Sequence, residues 1–235
     1  MATSTLPVSE VFGPTLQGEG PHAGRPCYFI RTGGCNLSCT WCDTPYSTGT
    51  HGIPLSTVPR ITPEEVLQQI PDGAMVVVTG GEPGIHYSNP TFQSLLQQLA
   101  SNGCEVHIET NGMILPTPEV DEAVTHFTVS PKLGVPMANK HHTPTLANWE
   151  QQAADGRAIL KAVWDTDDAD QFCTNTIKLG EAHGFTRRTI WVMPEGATEE
   201  PLQQRWPTLA QAAADAGINA THRLHALAWG DAKGH

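Results

Sequence analysis

Short apolar runs alternate with helical patterns along the chain, and this alternation constrains the possible folds more than any other feature of the sequence. The strand-like runs cover 27–34, 75–79, 104–109, 126–129, 159–164, 189–193 and 222–229. The helical patterns cover 62–70, 89–103, 167–183 and 199–216. The segment 132–150 has no strong period and reads as a long loop with at most one short helix. Strands that alternate with helices predict parallel βαβ units.

The number of strand-like runs decides between the α/β architectures. About seven runs are too few for a closed eightfold barrel in 235 residues. We therefore expect an α/β fold of the partial or distorted (β/α) barrel type, in a single domain over 1–235. A doubly wound open sheet is the competing architecture.

Polar signatures follow four of the strand-like runs directly. They are GGEP at 80–83, ETNG at 109–112, SPK at 130–132 and MPEG at 193–196. Active sites in barrels and open α/β sheets lie at the carboxyl ends of the strands. We therefore expect the four segments to meet at one site.

Composition excludes several classes of protein. The chain has 13 Lys and Arg against 24 Asp and Glu, a net charge of −11, and no basic run, which argues against nucleic-acid binding. No signal peptide and no run of 18 apolar residues is evident, so we expect a cytoplasmic protein without a membrane span. Six cysteines in such a protein indicate ligands or buried thiols rather than disulfides.

Three cysteines, Cys35, Cys39 and Cys42, stand in the spacing C-x3-C-x2-C. Thiolates favour zinc, iron–sulfur clusters or copper, and a structural zinc site needs four closed ligands. Three thiolates leave one position open, and a cubane held in this way can bind a substrate group at its fourth iron. A zinc site with a distant fourth ligand, for which His51 is nearest, and three unrelated buried thiols are the alternatives.

The spacing, with Trp41 before the last cysteine, resembles the signature of the radical S-adenosylmethionine (SAM) superfamily. GGEP resembles the second motif of that superfamily, whose backbone receives the methionine amino group of SAM. The resemblance implies a 4Fe–4S cluster that reduces SAM to methionine and a 5′-deoxyadenosyl radical.

The first half of the chain also resembles one family within that superfamily, the 7-carboxy-7-deazaguanine synthases. The resemblance rests on VFGPTLQGEGPHAGRPCYFIRTGGCNLSCTWCDT, VVVTGGEP, IETNG and VSPK, and it is weaker over 133–235. It implies conversion of 6-carboxy-5,6,7,8-tetrahydropterin to 7-carboxy-7-deazaguanine with loss of ammonia, on the route to queuosine and other deazapurines.

The resemblance assigns roles to individual residues. Arg31 would pair with the substrate carboxylate, Glu109 would accept a ring N–H or transfer a proton, and Thr44 would bind Mg²⁺. Further pterin contacts would come from Leu16, Gln17, Gly18, Glu19, Thr79 and His225, with His222 as the rival of His225. Contacts to SAM would come from Trp41, Asp43, Gly81, Ser130, Pro131, Lys132 and Glu195.

Several of these residues could also have a purely structural role. Arg31 and Lys132 suit solvated surface positions, Thr44 suits a helix N-cap, and Glu19 suits a turn. Each histidine suits a packed strand. The resemblance also implies a flavodoxin- or ferredoxin-like reductant and a homodimer. A glycyl-radical activase and a zinc-binding non-enzymatic module are the competing functions.

Overall fold

The structure is a computed structural model that describes residues 4–50, 53–132, 145–196, 198–230 and 232. Within these residues, nine strands form one sheet. The strands are β1 (Leu6–Leu16), β2 (Pro26–Thr32), β3 (Arg60–Ile61), β4 (Met75–Gly80), β5 (Glu105–Thr110), β6 (His126–Val129), β7 (Ala158–Trp164), β8 (Ile190–Pro194) and β9 (Asn219–Ala220).

The helices are α1 (Pro45–Thr48), α2 (Pro63–Leu67), α3 (Pro90–Ser101), α4 (Pro118–Ala123), α5 (Glu150–Ala154), α6 (Ala169–Ala182), α7 (Glu199–Ala216) and α8 (Leu224–Trp229). Four begin with a proline directly after Thr or Asn, where the missing N–H is not needed. Among the described residues, no helix is long and apolar enough to cross a bilayer.

The strand order is β3-β1-β2-β4-β5-β6-β7-β8-β9. Strands β2 and β4 to β9 are parallel, and β1 lies antiparallel to β2 and β3. From β4 onward the order in space follows the order in the chain, without the reversal that a doubly wound sheet requires. The sheet is open, and the expected partial (β/α) barrel is confirmed.

The main apolar core lies between the sheet and the helices. Val76 and Val78 of β4 are fully buried there, together with Phe92, Leu96 and Leu99 of α3. These α3 residues recur every three or four positions, so they share one helix face. Alternate strand residues point to the opposite, concave face of the sheet, where the polar side chains gather.

Hydrogen bonds, and no strand pairing among the described residues, connect the β1 side of the open sheet to the β9 side. The amide of Leu224, at the start of α8, donates to the carbonyl of Gly18 over 3.0 Å. The amide of Gly20 donates to Thr221 Oγ1 over 2.9 Å. We call these two bonds the seam, because they join the segment after β1 to the segment after β9.

The structure corrects two sequence predictions. The run 222–229 is not a strand, because Leu224–Trp229 forms α8 and consists mainly of Leu and Ala, which favour helix. The sheet also has more strands than predicted, since β1, β3 and β9 were not expected. The predicted loop 132–150 and His51 lie largely or wholly outside the described residues.

Candidate active site

A cavity of about 460 Å³ lies at the carboxyl ends of the parallel strands. All four strand-end signatures contribute side chains or backbone to its wall, which brings together segments far apart in the chain. The predicted residues that line it are Leu16, Gln17, Glu19, Arg31, Cys35, Cys39, Trp41, Cys42, Asp43, Thr44, Thr79, Gly81, Glu109, Ser130, Lys132, Glu195 and His225.

Two predicted residues, Gly18 and Pro131, do not line the cavity. Pro131 is buried behind it. Gly18 lies against the ring of His225, where an added Cβ would stand 1.9 Å from Nδ1. The absence of a side chain at Gly18 therefore allows His225 to reach the cavity wall.

The two C-terminal histidines have different surroundings. His225 lines the cavity from α8. His222 instead accepts a hydrogen bond at Nδ1 from the Arg223 amide over 2.8 Å. Its ring also contacts the ring of Trp206, with centroids 5.2 Å apart. Of the two candidates, only His225 is placed to meet a molecule in the cavity.

Glu109 stands at the end of β5 and holds two neighbouring strands of the wall together. Gln17 Nε2 donates to one carboxylate oxygen over 3.2 Å. Thr79 Oγ1 donates to the other over 3.1 Å. Three predicted site residues therefore form one polar wall, and both oxygens of Glu109 have further lone pairs for a ligand.

Arg31 lies on β2 opposite Thr79 of β4. Its Nε donates to Glu10 over 2.6 Å, and the hydroxyl of Tyr46 donates to the same carboxylate oxygen over 2.7 Å. Among the described residues, none accepts a hydrogen bond from the two terminal nitrogens of Arg31. Glu10 therefore orients the guanidinium while leaving its fork available.

A buried ionic group that the sequence analysis missed also lines the cavity. Glu19 forms ion pairs with Lys161 and with Arg223, whose Nε is 3.0 Å from the carboxylate. Burial alone would raise the pKa of Glu19, but the charges of Lys161 and Arg223 lower it well below its usual range. Burial would likewise lower the pKa of Lys161, but Glu19 and Glu109 raise it. All three groups are therefore charged.

Only one of the two missed cations has a signal in the sequence. Lys161 interrupts the apolar run AILKAVW of β7, and lysine is almost never buried without a partner. Arg223 precedes α8 in a segment that was expected to be a strand, where a charged residue has no special meaning.

The GGEP segment lies directly against residues 34–44, which carry Cys35, Cys39 and Cys42 and which we call the cysteine loop. The amide of Glu82 donates to the carbonyl of Gly34 over 2.7 Å. A Cβ on Gly81 would stand 1.9 Å from that same carbonyl oxygen, so only glycine fits. The backbone before Cys35 and the backbone of GGEP therefore form one continuous surface.

The buried carboxylate of Glu82 holds this surface in place through hydrogen bonds. It is 2% exposed, and burial raises the pKa of its carboxyl. It accepts hydrogen bonds from the amide of Gly84, the hydroxyl of Thr110 and the amide of Asn111. Asn111 in turn donates to Asn36 in the cysteine loop over 2.7 Å. Glu82 therefore joins GGEP, ETNG and the cysteine loop.

Comparison with known proteins identifies the family. Residues 29–136 match the model of the radical SAM superfamily. A 7-carboxy-7-deazaguanine synthase of Pyrobaculum aerophilum is 32% identical over 234 residues, which cover 99% of each chain. A second, from Hyperthermus butylicus, is 35% identical over 95% of this chain and 93% of the relative. The chain belongs to the 7-carboxy-7-deazaguanine synthase family.

Solved structures agree with the fold of this family member. The crystal structure of QueE from Escherichia coli matches with a TM-score of 0.64 and 26% identity, over 94% of this chain and 95% of that chain. Streptococcus suis SuiB bound to S-adenosylmethionine matches with a TM-score of 0.51 and 14% identity, over 80% and 44%. The second similarity concerns the fold alone.

This family member is a radical SAM enzyme, and its cofactors are a 4Fe–4S cluster and SAM. The cysteine loop fits the cluster, because Cys35, Cys39 and Cys42 are free thiols on one cavity wall. Burial raises the pKa of Cys35 to about 12 and raises that of Cys39. Binding of the cluster would therefore release protons from Cys35 and Cys39.

The thiols are spread along the wall rather than gathered at one point. In the described ranges, no three His, Cys, Asp or Glu side chains are arranged to hold a single metal ion. The amide of Leu37 donates to Cys35 Sγ over 3.4 Å, a contact that suits a thiolate ligand. The remaining buried cysteines, Cys27, Cys104 and Cys173, lie in the core.

The last part of the wall surrounds the cysteine loop. Lys132 Nζ donates to Ser130 Oγ over 2.7 Å and stands 5.5 Å from the centre of the Trp41 ring. Thr44 occupies the N-cap position of α1, but its side chain makes no capping hydrogen bond. Its hydroxyl instead faces the cavity, 3.9 Å from Cys42 Sγ.

Proposed function

We propose that this enzyme converts 6-carboxy-5,6,7,8-tetrahydropterin to 7-carboxy-7-deazaguanine with loss of ammonia. The observation that carries the proposal is the shared cavity, which is lined both by Cys35, Cys39 and Cys42 and by the polar wall of Gln17, Thr79 and Glu109. The volume of about 460 Å³ lies in the usual range for small-molecule sites. The relatives named above carry the name of this activity.

The basic residues in the cavity support a substrate that carries a carboxylate. Four of the 13 basic residues of this acidic chain line it, namely Arg31, Lys132, Lys161 and Arg223. Lys161 is paired with Glu19, and Arg223 is paired with Glu19 and Asp43, whereas the fork of Arg31 is available to a carboxylate. A guanidinium matches the two oxygens of a carboxylate geometrically, so we assign the pterin carboxylate to Arg31.

The remaining pterin contacts would come from other residues of the same cavity. Glu109 would accept a ring N–H or move a proton, since its carboxylate is held in place by Gln17 and Thr79. Glu19 is ionised and can accept a hydrogen bond from the amino group of a pterin. Leu16, Gly18 and His225 would complete the pocket, with Gly18 giving His225 its space.

The SAM site would lie between the cysteine loop and the ends of β4, β6 and β8. The cluster held by Cys35, Cys39 and Cys42 supplies the electron that cleaves the sulfonium. The backbone of Gly81 would receive the methionine amino group. The other residues assigned to SAM are Trp41, Asp43, Ser130, Pro131, Lys132 and Glu195.

Thr44 is assigned to Mg²⁺. A hard cation takes oxygen ligands and keeps several from water or substrate, so one hydroxyl and the pterin carboxylate can suffice. The hydroxyl of Thr44 is free of a capping bond and faces the cavity.

Replacing Thr44 with Ala should remove the response of the enzyme to Mg²⁺. After chelation, added Mg²⁺ should raise the pterin turnover of the unmodified enzyme and of Thr44→Ser, because serine keeps the hydroxyl. Thr44→Ala should respond only weakly. Steady-state rates across a Mg²⁺ titration measure this, and equal titration curves for Ser and Ala would remove Thr44 from the metal site.

The partners and the setting complete the proposal. Cleavage of SAM needs a one-electron donor, which we take to be a flavodoxin- or ferredoxin-like protein in the cytoplasm. Exposed Leu224 and Leu227 on α8 are consistent with a homodimer. The continuous sheet supports a single domain. Light scattering over a range of protein concentrations would measure the oligomeric state.

Anaerobic turnover tests the function. The protein is reconstituted with iron and sulfide and incubated with SAM, a reductant and 6-carboxytetrahydropterin. We expect both 5′-deoxyadenosine and 7-carboxy-7-deazaguanine by mass spectrometry. Formation of 5′-deoxyadenosine without the deazaguanine would reject the substrate while leaving the radical SAM assignment intact.

Arg31→Ala should slow pterin turnover about a hundredfold, the effect of losing charge-assisted hydrogen bonds to a carboxylate. Cleavage of SAM without pterin should change little, because Arg31 contacts no residue assigned to SAM. The matched control is Arg60→Ala, since Arg60 is exposed and its guanidinium, within the part of the chain that the structure describes, bonds only to Thr5. An equal loss of both activities in Arg31→Ala would contradict the carboxylate role.

A further inference from the structure

Arg223 joins three loops around the cavity through one guanidinium. Its Nε donates to Glu19 over 3.0 Å. One terminal nitrogen donates to the carbonyl of Gly196 over 2.8 Å, and the other donates to Asp43 over 3.1 Å. These partners belong to the TLQGEG segment, the MPEG segment and the cysteine loop. All three nitrogens of the side chain are therefore used, each on a different loop.

The main chain at Arg223 is fixed independently of these contacts. Its amide donates to the ring of His222, and the next amide, of Leu224, belongs to the seam with Gly18. The side chain is only 16% exposed, so its hydrogen bonds are partly shielded from water. Because the main chain of Arg223 is fixed and all three side-chain nitrogens are bonded, the residue constrains the relative positions of the three loops.

Only arginine can make this set of contacts. Its guanidinium is planar and presents five N–H donors in a fixed fork, whereas lysine presents one compact ammonium. A lysine at position 223 would keep the charge and could reach one of the three acceptors. Replacing Arg223 with lysine therefore separates the effect of the positive charge from the effect of bonding three loops at once.

We propose that Arg223 is a positioning residue that couples the pterin pocket to the SAM and cluster loops. This inference rests on the proposed function, because Glu19 is assigned to the pterin and Asp43 and the MPEG segment to SAM. Arg223 acts through those residues and holds the pterin at a fixed distance from the reactive centre. Without the link, SAM would be cleaved in cycles that do not reach the pterin.

The test uses reconstituted holoenzyme and compares Arg223→Gln and Arg223→Lys with the unmodified chain. The matched control is Arg157→Gln. Arg157 also makes ion pairs and donates to main-chain carbonyls, but it precedes β7 at the opposite end of the sheet. The measurements are KM for pterin, KM for SAM in pterin-free cleavage, the ratio of 5′-deoxyadenosine to deazaguanine, iron content and Tm.

For Arg223→Gln we expect KM for pterin to rise about tenfold, the effect of one lost hydrogen bond to a charged group. The ratio of 5′-deoxyadenosine to deazaguanine should also rise, and KM for SAM should increase. Arg223→Lys should not restore these values. Iron content should match that of the unmodified chain, and Arg157→Gln should leave both KM values and the ratio unchanged.

Three results would overturn the proposal. These are unchanged KM values and product ratio in Arg223→Gln, full rescue by lysine, or losses that simply follow iron content and Tm. If the unmodified enzyme cleaves SAM but forms no deazaguanine, the proposed function fails separately. In that case KM for SAM still tests the link, and equal values for Arg223→Gln and the unmodified chain would reject it.

Discussion

Replacing any one of Cys35, Cys39 or Cys42 with Ala is expected to abolish iron binding and the release of 5′-deoxyadenosine together. The three thiolates would together hold the 4Fe–4S cluster, and two of them would be too few to retain it. No other cysteine can substitute, because Cys27, Cys104 and Cys173 are buried in the core away from the cavity. Iron and sulfide analysis, the visible absorption of the cluster and 5′-deoxyadenosine release measure the result.

The control for this experiment is Cys173→Ala. Cys173 is fully buried in α6, so its loss leaves a small cavity in the core and lowers the free energy of unfolding by about 1 kcal/mol. Iron content and SAM cleavage should nevertheless match the unmodified chain. Retained activity in any one of the three cluster variants would contradict the ligand assignment.

Lys161→Met is expected to lower both the stability and the activity of the enzyme. The substitution keeps a side chain of similar length but leaves Glu19 buried with Arg223 as its one remaining ion-pair partner among the described residues. Removing one member of a buried ion pair costs about 3 kcal/mol in the free energy of unfolding, and the remaining Arg223 keeps the loss at the lower end of the range. A displaced Glu19 should slow pterin turnover about a hundredfold.

The double variant Glu19→Gln with Lys161→Met separates the two effects. It removes the buried carboxylate that has lost one of its two cations, while Arg223 keeps Asp43 as a partner. Denaturant unfolding should therefore show more stability than for Lys161→Met alone, while turnover should stay low. The stabilising effect of the Glu19 ion pair is present above about pH 4.5 and is lost as the pH falls, because the pKa of Glu19 is lowered by folding. Unfolding is therefore measured near neutral pH. A double variant no more stable than Lys161→Met would contradict the ionic role.

The fold could be predicted where the pattern is local. The helix 199–216 was predicted with the bounds that α7 has, and the apolar run 75–79 became the buried strand β4. Strand β1 was not predicted, because LPVSEVFGPTL has two prolines and no regular alternation, and its place is set by pairing with β2. Strands β3 and β9 have two residues each and no pattern of their own.

The residues of the site were likewise predictable only where they belong to a local motif. The three cysteines and GGEP are contiguous motifs, so the cysteine spacing indicated a metal with an open position, and the resemblance of both motifs to the superfamily indicated SAM. The ion pairs of Glu19 join residues 142 and 204 positions apart, which only the folded chain brings together. The error at α8 hid Arg223, since a strand there would have suggested no link to the first loop.

The seam has a consequence for the order in which the enzyme is made. Arg223 follows Asp43 by 180 residues, and a ribosome adds roughly 5–20 residues per second, so about 10–40 s separate their synthesis. During that interval the cysteine loop exists while the wall that Thr221, Arg223 and His225 provide does not. The side of the cavity that faces the cysteine loop therefore stays incomplete until late in synthesis. The wall is finished only when Arg223 and His225 have been added.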